Sequence, residues 1–398
     1  MSLQIGIIGM PNVGKSTLLN ALTHAHAEAA NYPFCTIEKN IGITTIDDPR
    51  LASLTEKLQP EEVVPASIQF VDIAGLVRGA SRGEGLGNRF LGHIREADAL
   101  LHVVRAFVDD NIAHVDGSID PVRDLEIVQA ELMLADLDTV ERQADKTRKA
   151  AKGNPKEAEE TLGLLHVLAE GLKEGKPAWT LLPPPADADA APVDGPPGGS
   201  AAASRPHRHG TEPGHAAESP VVRLARELFL LTLKPVLVVV NLDDATPGES
   251  VDPELAARLR AAAHADVLGI AIRLEEELSR LEPGESAAMR AELGLAQAPL
   301  PELIERGRHM LRLVTFYTIA NDKLRAWLVP AGTTAPKAAG RIHTDMERGF
   351  IRAEVFSPAD LLEHGSRAEL HRHGLVRVEG KDYVIREGDV VQVLFQAH

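Results

Sequence analysis

The chain has 398 residues, a formal net charge of −16, 44% hydrophobic and 25% charged residues, and a single cysteine, Cys35. One hydrophobic core stops growing well short of that length, so two or three domains are expected. The composition excludes an internal disulfide framework and a membrane-spanning run, and its acidity argues against a general affinity for nucleic acid while leaving room for a local basic patch.

From Met1 the sequence enters a strand-like pattern with no basic and apolar leader, which together with the lone cysteine predicts a cytoplasmic protein. Residues 4–9 (QIGIIG) form a short β-branched run. Gly9-Met10-Pro11-Asn12-Val13-Gly14-Lys15-Ser16-Thr17 follows in the form GxxxxGK[ST], and Leu18-Leu19-Asn20-Ala21-Leu22 continues it as a helix, the context a phosphate loop requires. The glycines let backbone N–H groups close around phosphates, Lys15 brings a point charge to the β- and γ-phosphates, the Ser16 hydroxyl is a ligand for Mg²⁺, and the helix N-terminus adds its dipole. Asn12, Val13, Gly14, Lys15, Ser16 and Thr17 are the expected phosphate-binding residues, with Lys15 also catalytic. Asn12 admits two readings: the asparagine that potassium-stimulated members of the wider GTPase class carry here, implying K⁺, or a side chain that only steadies the loop.

Thr36, in Asn31-Tyr32-Pro33-Phe34-Cys35-Thr36-Ile37-Glu38, stands where a first-switch threonine completes the Mg²⁺ shell. The run Ile68-Gln69-Phe70-Val71 reads as a strand ending at Asp72, and Asp72-Ile73-Ala74-Gly75 has the DxxG form of nucleotide switches. Asp72 is expected to hold Mg²⁺ through a water, and the Gly75 N–H to sense the γ-phosphate. Leu100 to Val104 is the next buried strand. From Asp124 to about Leu172 apolar residues recur at helical spacing (Leu125, Val128, Leu132, Ala135, then Leu162, Leu165, Leu168, Ala169, Leu172), which predicts two long antiparallel helices. Arg142, Lys146, Arg148, Lys149, Lys152 and Lys156 cluster there, either as a solvated face or as a contact for RNA phosphates.

Residues 183–220 are rich in Pro, Gly, Ala and Ser and nearly free of large apolar side chains, so disorder is expected; His207, His209 and His215 within them have no fixed ligand spacing and read as a solvated tail. Val222, Leu224, Leu228 and Leu231 form a second amphipathic piece that leads into the strand Pro235 to Val240. At its end stands Asn241-Leu242-Asp243-Asp244, where GTPases carry NKxD; Asn241, Leu242 and Asp244 are expected to meet the base, with Leu242 replacing the lysine. Val267 to Ile272 is a further strand, and Ala271-Ile272-Arg273-Leu274-Glu275 is a degenerate SAxxE, so the base preference is blurred. Near-continuous apolar runs alternating with helical stretches predict a doubly wound α/β domain with a parallel sheet. A third region begins near Pro301: Glu302 to Val314 reads as a helix, and the strand-like segments Ile351 to Val355 and Asp389 to Phe395 complete a small α+β module.

GMPNVGKST, NYPFCTIE, FVDIAGLVRGASRGEGLGNRFL, DNIAHVDG, ADLDT, GTTAPKAAGRIHTDMERGFIRAEV and GKDYVIREGDVVQVLF together resemble the YchF/Obg-like ATPase family over essentially the whole chain except residues 183–220. The resemblance implies a P-loop nucleotide-binding domain (1–123 and 234–303), a helical coiled-coil insertion (124–233, containing 183–220) and a C-terminal TGS-like domain (304–398). It also implies ATP hydrolysis in preference to GTP, association with ribosomes, as the large subunit or the 70S particle with its RNA, and a role in translation or stress. Leu76 occupies the place where many switch GTPases put a water-orienting glutamine, and the family's proposed substitute matches His114, in the loop Asp109 to Gly117. The expected protein is a monomeric nucleoside triphosphatase, away from membranes, acting as a switch. The alternative is a nucleotide-binding scaffold or RNA-binding protein with negligible turnover; a metabolic kinase is disfavoured because Asp72, Gly75 and Thr36 form a switch pattern and no acceptor site is evident.

Overall fold

The computed structural model describes residues 3–24, 40–73, 86–109, 117–151, 155–181, 220–244, 246, 248, 250–295 and 298–396. Thr36, Gly75, Leu76, His114 and all but the last residue of segment 183–220 lie outside the described residues.

Chain order begins β1 (Gln4–Ile8), α1 (Lys15–His24), β2 (Ile41–Thr45), α2 (Pro49–Leu58), β3 (Glu62–Val64), β4 (Ser67–Asp72), α3 (Leu86–Glu96), β5 (Ala99–Arg105). It continues α4 (Pro121–Ala150), α5 (Pro155–Lys173), α6 (Pro220–Glu227), β6 (Val236–Asn241), α7 (Pro253–Ala263), β7 (Asp266–Ile270), α8 (Ile272–Ser279), α9 (Pro283–Glu292), α10 (Pro299–Met310). The last elements are β8 (Leu313–Ala320), β9 (Lys323–Pro330), α11 (Ala335–Ile342), α12 (Thr344–Arg348), β10 (Phe350–Phe356), α13 (Pro358–His364), α14 (Arg367–Arg372), β11 (Arg377–Glu379) and β12 (Val390–Phe395). These form two compact units, Met1–Val128 with Lys234–His398, and Gln129–Leu233, the division falling inside α4.

Among the described residues the first unit holds two six-stranded sheets. In the first, the order is β2-β4-β1-β5-β6-β7. β1 runs parallel to β4 and β5, and β5, β6 and β7 continue in parallel, whereas β2 is an antiparallel edge. The inner strands are covered on both faces, which is why they read as unbroken apolar runs: Ile5, Ile7, Leu100, Leu101, Val238 and Val239 are fully buried. On one face Val104, Val238 and Val240 pack with Val122, Leu125, Leu259 and Ala263 of the helices. On the other, α10 comes so close that a Cβ on Gly307 would lie 2.9 Å from Ile5 Cδ1.

The second sheet has the order β11-β10-β12-β8-β9-β3. Its centre is the β8–β9 hairpin, paired from Leu313↔Pro330 to Ala320↔Lys323. Asn321 and Asp322 turn it with φ of 52° and 55°, the left-handed pair that a two-residue turn demands and that Asn and Asp tolerate best. Phe316, Val329, Ala353, Val355 and Val391 form its core with Ala335 and Ala338 of α11. The expected helix Glu302–Val314 is corrected: α10 stops at Met310 and β8 starts at Leu313. Arg312 takes φ 50°, which no helix sustains, and Leu313, buried, pairs in the sheet instead.

In the second unit α4 and α5 pack as an antiparallel pair with α6 against them. Val140, Leu165, Leu168, Leu172 and Ala225 make the core, and Lys173 near the end of α5 reaches Glu141 at 3.5 Å. Asp136, 1% exposed, would be costly there alone; its carboxylate accepts Leu231 N–H at 2.6 Å, Thr232 N–H at 2.9 Å and the Thr232 hydroxyl at 2.6 Å. Among the described residues no helix is long and apolar enough to cross a membrane.

Candidate functional site

The segments that follow β1, β5 and β6 line a cleft of about 700 Å³ in the first unit, and Asp72 at the end of β4 is joined to it through Ser16. The turn from β1 into α1 is possible only with glycine at its ends. Gly9 has φ +148° and a Cβ there would meet Val103 O at 2.3 Å; Gly14 has φ +102° and a Cβ would meet Asn241 Nδ2 at 2.5 Å. Between them Asn12 takes φ 61°, a conformation asparagine bears better than most side chains. Lys15 and Ser16 then open α1, where free N–H groups and the helix dipole favour an anion.

Lys15 is 7% exposed, and its ammonium donates to Met10 O at 2.8 Å. Burial pushes it down to about 8, and the nearby Asp72 carboxylate pulls the other way. A charge held so poorly by its surroundings is stabilised by an incoming polyphosphate. The Ser16 hydroxyl donates to Asp72 Oδ2 at 2.5 Å, while Asp72 Oδ1 is buried with no hydrogen-bond partner. An orphaned carboxylate oxygen beside a hydroxyl is the donor set a hard divalent cation takes when phosphate and water complete its shell. Among the described residues no three or more His, Cys, Asp or Glu side chains gather elsewhere into a metal site.

The base end is built from β6 and α8. Asn241, 5% exposed, donates from Nδ2 to Val13 O at 2.9 Å and accepts Ile272 N–H at 3.2 Å, so its amide ties the phosphate loop to α8. That structural duty engages both ends of an amide expected to meet the base. Leu242 and Asp244 line the cleft, and Asp244 Oδ1 accepts Leu274 N–H at 3.4 Å. Burial raises the Asp244 carboxyl above the ordinary carboxylate value, and Glu277 and Asp243 add to this against the Leu274 N–H and Arg273. Glu275 does not face the cleft chemistry: it is 3% exposed and clamped by Arg290 of α9 at 2.5 and 3.0 Å.

Asn12, Gly14, Lys15, Ser16, Thr17, Asn241, Leu242 and Asp244 thus come together around one cleft, with Val13 buried behind it and Asp72 joined through Ser16. Thr36, Gly75 and His114 lie outside the described residues. Sequence reasoning missed Phe107, which lines the cleft, and Arg105, 2% exposed, which supports it by donating to Phe107 O at 3.1 Å and Asp109 O at 3.2 Å. An arginine closing a largely apolar strand was the available signal. His102 was also overlooked: it is buried on β5 with Nε2 unpartnered, and burial, then the Lys15 charge, lowers it to about 3, so it is neutral at physiological pH.

Comparison with known proteins agrees with this arrangement. Residues 4–137 match the family model MMR_HSR1, described as a 50S ribosome-binding GTPase, and residues 313–396 match YchF-GTPase_C, described as a protein of unknown function. The chain is 42% identical over 398 residues to "Ribosome-binding ATPase YchF" of Bacillus subtilis (strain 168), covering 99% of this chain and 100% of the relative. It is 40% identical over 397 residues to the protein of the same name in Escherichia coli O157:H7, covering 99% of each. A solved structure, that of the Schizosaccharomyces pombe YchF GTPase, superimposes with a TM-score of 0.78 at 31% identity, covering 99% of this chain and 98% of that one.

Proposed function

We propose that this chain, which belongs to the YchF family, hydrolyses ATP ahead of GTP and uses the cycle as a switch on the ribosome. The observation that carries the reading is the convergence of Lys15, Ser16 and Asn241 on one cleft at the end of a mainly parallel sheet, with Asp72 bonded to Ser16 beside it. Lys15 binds the β- and γ-phosphates; Asn12, Val13, Gly14, Ser16 and Thr17 hold the phosphates by backbone and hydroxyl. Ser16, Thr36 and Asp72 would hold Mg²⁺, and the bound ion would neutralise phosphate charge. The Gly75 N–H senses the γ-phosphate, and His114, standing in for the glutamine that Leu76 displaces, orients the attacking water. K⁺ beside Asn12 is part of the same reading. Leu242 in place of a lysine favours adenine, because no aliphatic-ammonium stem covers guanine.

The partner is the ribosome, through its large subunit or the 70S particle, in the cytoplasm, with the protein as a monomer. The relatives' name, ribosome-binding ATPase, supports the ribosome as the partner, and the basic residues Arg142, Lys146, Arg148 and Lys149 of α4 are the segment suited to ribosomal RNA phosphates. The test is ATP and GTP hydrolysis by the purified protein with and without 50S and 70S ribosomes. Turnover faster with ATP and stimulated by ribosomes is expected. Nucleotide retained without turnover in all conditions would favour a scaffold that uses nucleotide for structure alone.

A further inference from the structure

β2 and β4 form an antiparallel hairpin, paired from Ile41↔Val71 to Thr45↔Ser67. One end is the cleft, where β4 stops at Asp72 and takes the Ser16 hydroxyl. The other end is not a tight turn. Ile46 N–H donates to Ala66 O at 2.9 Å and closes a neck, beyond which residues 47–65 leave the first sheet and are gripped by the second.

The grip has two parts. β3 adds to the edge of the second sheet in parallel with β9, from Glu62↔Lys323 to Val64↔Arg325, and the Glu62–Lys323 ion pair at 2.7 Å guards the ladder's start. At the head of α2 the Asp48 carboxylate, 8% exposed, accepts Arg50 N–H, Nε and Nη2, each at 3.0 Å, and also takes the Tyr317 hydroxyl of β8. Arg50 reaches on to Glu387 at 2.5 Å, and Glu387 in turn accepts Thr315 N–H at 2.9 Å. Burial would raise the Asp48 carboxyl, but its bonds from Arg50 and Tyr317 outweigh this and hold it below the ordinary value, so the clasp keeps its charge.

We propose that this excursion makes the second sheet a regulator of the nucleotide site, with movement of the Asp72 end of the hairpin transmitted to β3 and to the Asp48–Arg50–Tyr317 clasp, and back. The inference rests on the reading of the cleft as a nucleotide site. β4 has six residues and spans about 20 Å. It cannot slip by one residue without turning Ile68 and Phe70, both fully buried, to the wrong face. Slip is thus closed to the pair, and β4 is held to β1 as well, from Gln4↔Gln69 to Ile7↔Asp72, so a displacement at the Asp72 end is passed along the strands to what is fastened at the far end. Coupling of this kind is reciprocal: a nucleotide that shifts the clasp is itself bound more or less tightly when the clasp is altered.

The test uses the full chain in three states: nucleotide-free, with Mg·ADP, and with Mg and a non-hydrolysable ATP analogue. Hydrogen exchange of the amides in β3 and β9 is expected to differ between the two nucleotide states. Tyr317→Phe and Glu387→Gln, neither of which touches the cleft, are expected to change the ratio of ATP-analogue to ADP affinity by about fivefold or more in calorimetry. The coupling is overturned by exchange at β3 and β9 that is identical in both nucleotide states, with variants that melt earlier yet keep both affinities. The exchange measurement on the unaltered chain stands even if a variant fails to fold. A wild-type chain that binds neither nucleotide overturns the reading of the cleft instead.

Discussion

Raising the pH should weaken nucleotide binding through a single group, Lys15. Burial lowers its ammonium to about 8 from 10.5. In the nucleotide-free protein about half of Lys15 is then neutral at pH 8 and about nine-tenths at pH 9. A bound polyphosphate restores the charge, so binding takes up a proton. For a lowered cation the sign is fixed: the affinity is complete below about 8 and is lost as pH rises through it. The apparent dissociation constant grows by 1 + 10^(pH − 8), a factor of about 1.1 at pH 7 and about 11 at pH 9, or about 1.4 kcal/mol across the two units. Titration calorimetry with an ATP analogue and Mg²⁺, run in buffers of low and high ionisation enthalpy, reads both quantities. Proton uptake should be about 0.1 per site at pH 7, about 0.5 at pH 8 and about 0.9 at pH 9. A flat affinity from pH 7 to 9 with buffer-independent enthalpy would refute the reasoning.

Four other outcomes are expected. Asp244→Ala should weaken GTP by roughly 10–150-fold and leave ATP nearly unchanged, since guanine offers donors to a carboxylate and adenine an acceptor; equal losses in binding titrations would assign Asp244 to its Leu274 contact alone. Because Asp244 is raised, acidification should protonate it above the ordinary carboxylate value and shift the affinity ratio further toward ATP. His114→Ala should slow single-turnover hydrolysis about 10–1000-fold with little change in affinity, and a wild-type rate would remove it from the mechanism. Arg290→Met strands the buried Glu275 carboxylate at a cost of about 3–5 kcal/mol, lowering the melting temperature by roughly 5–8 °C; a shift under about 2 °C would mean that Glu275 finds another partner.

Much of the first sheet was legible because its strands are buried on both faces and so appear as unbroken apolar runs: β1 before the phosphate loop, β4 ending on Asp72, β6 ending on Asn241. The edge strand β2, with the sequence IGITT, carries no such run, and nothing in Glu62-Val63-Val64 announces that it pairs 261 residues away with β9. β8 was hidden differently. Leu311 and Val314 keep helical spacing with Leu303 and Ile304, so the pattern overran the true end of α10; the Asn321-Asp322 turn was the better guide, and nothing in the sequence marks Arg312 as left-handed. At the site, Lys15, Ser16 and Asp72 were readable because phosphate chemistry fixes their spacing. The double engagement of Asn241 was not, since its partners Val13 and Ile272 are defined only by the fold.

The pairing of β3 with β9 also sets a condition on how the chain is made. Glu62 emerges from a translating ribosome 261 residues before its partner Lys323. At about 5–20 residues per second the strand waits roughly 13–50 s with its edge unpaired. β5 waits for β6 in the same way, across 136 residues between Leu100 and Val236. During that interval the phosphate-loop half of the first sheet can form, but the sequence that links β2 to β4 has nothing to dock against. A nascent chain arrested before residue 313 would therefore carry an open β-edge at Glu62–Val64, a natural site for a holding chaperone or for mispairing with a second nascent chain.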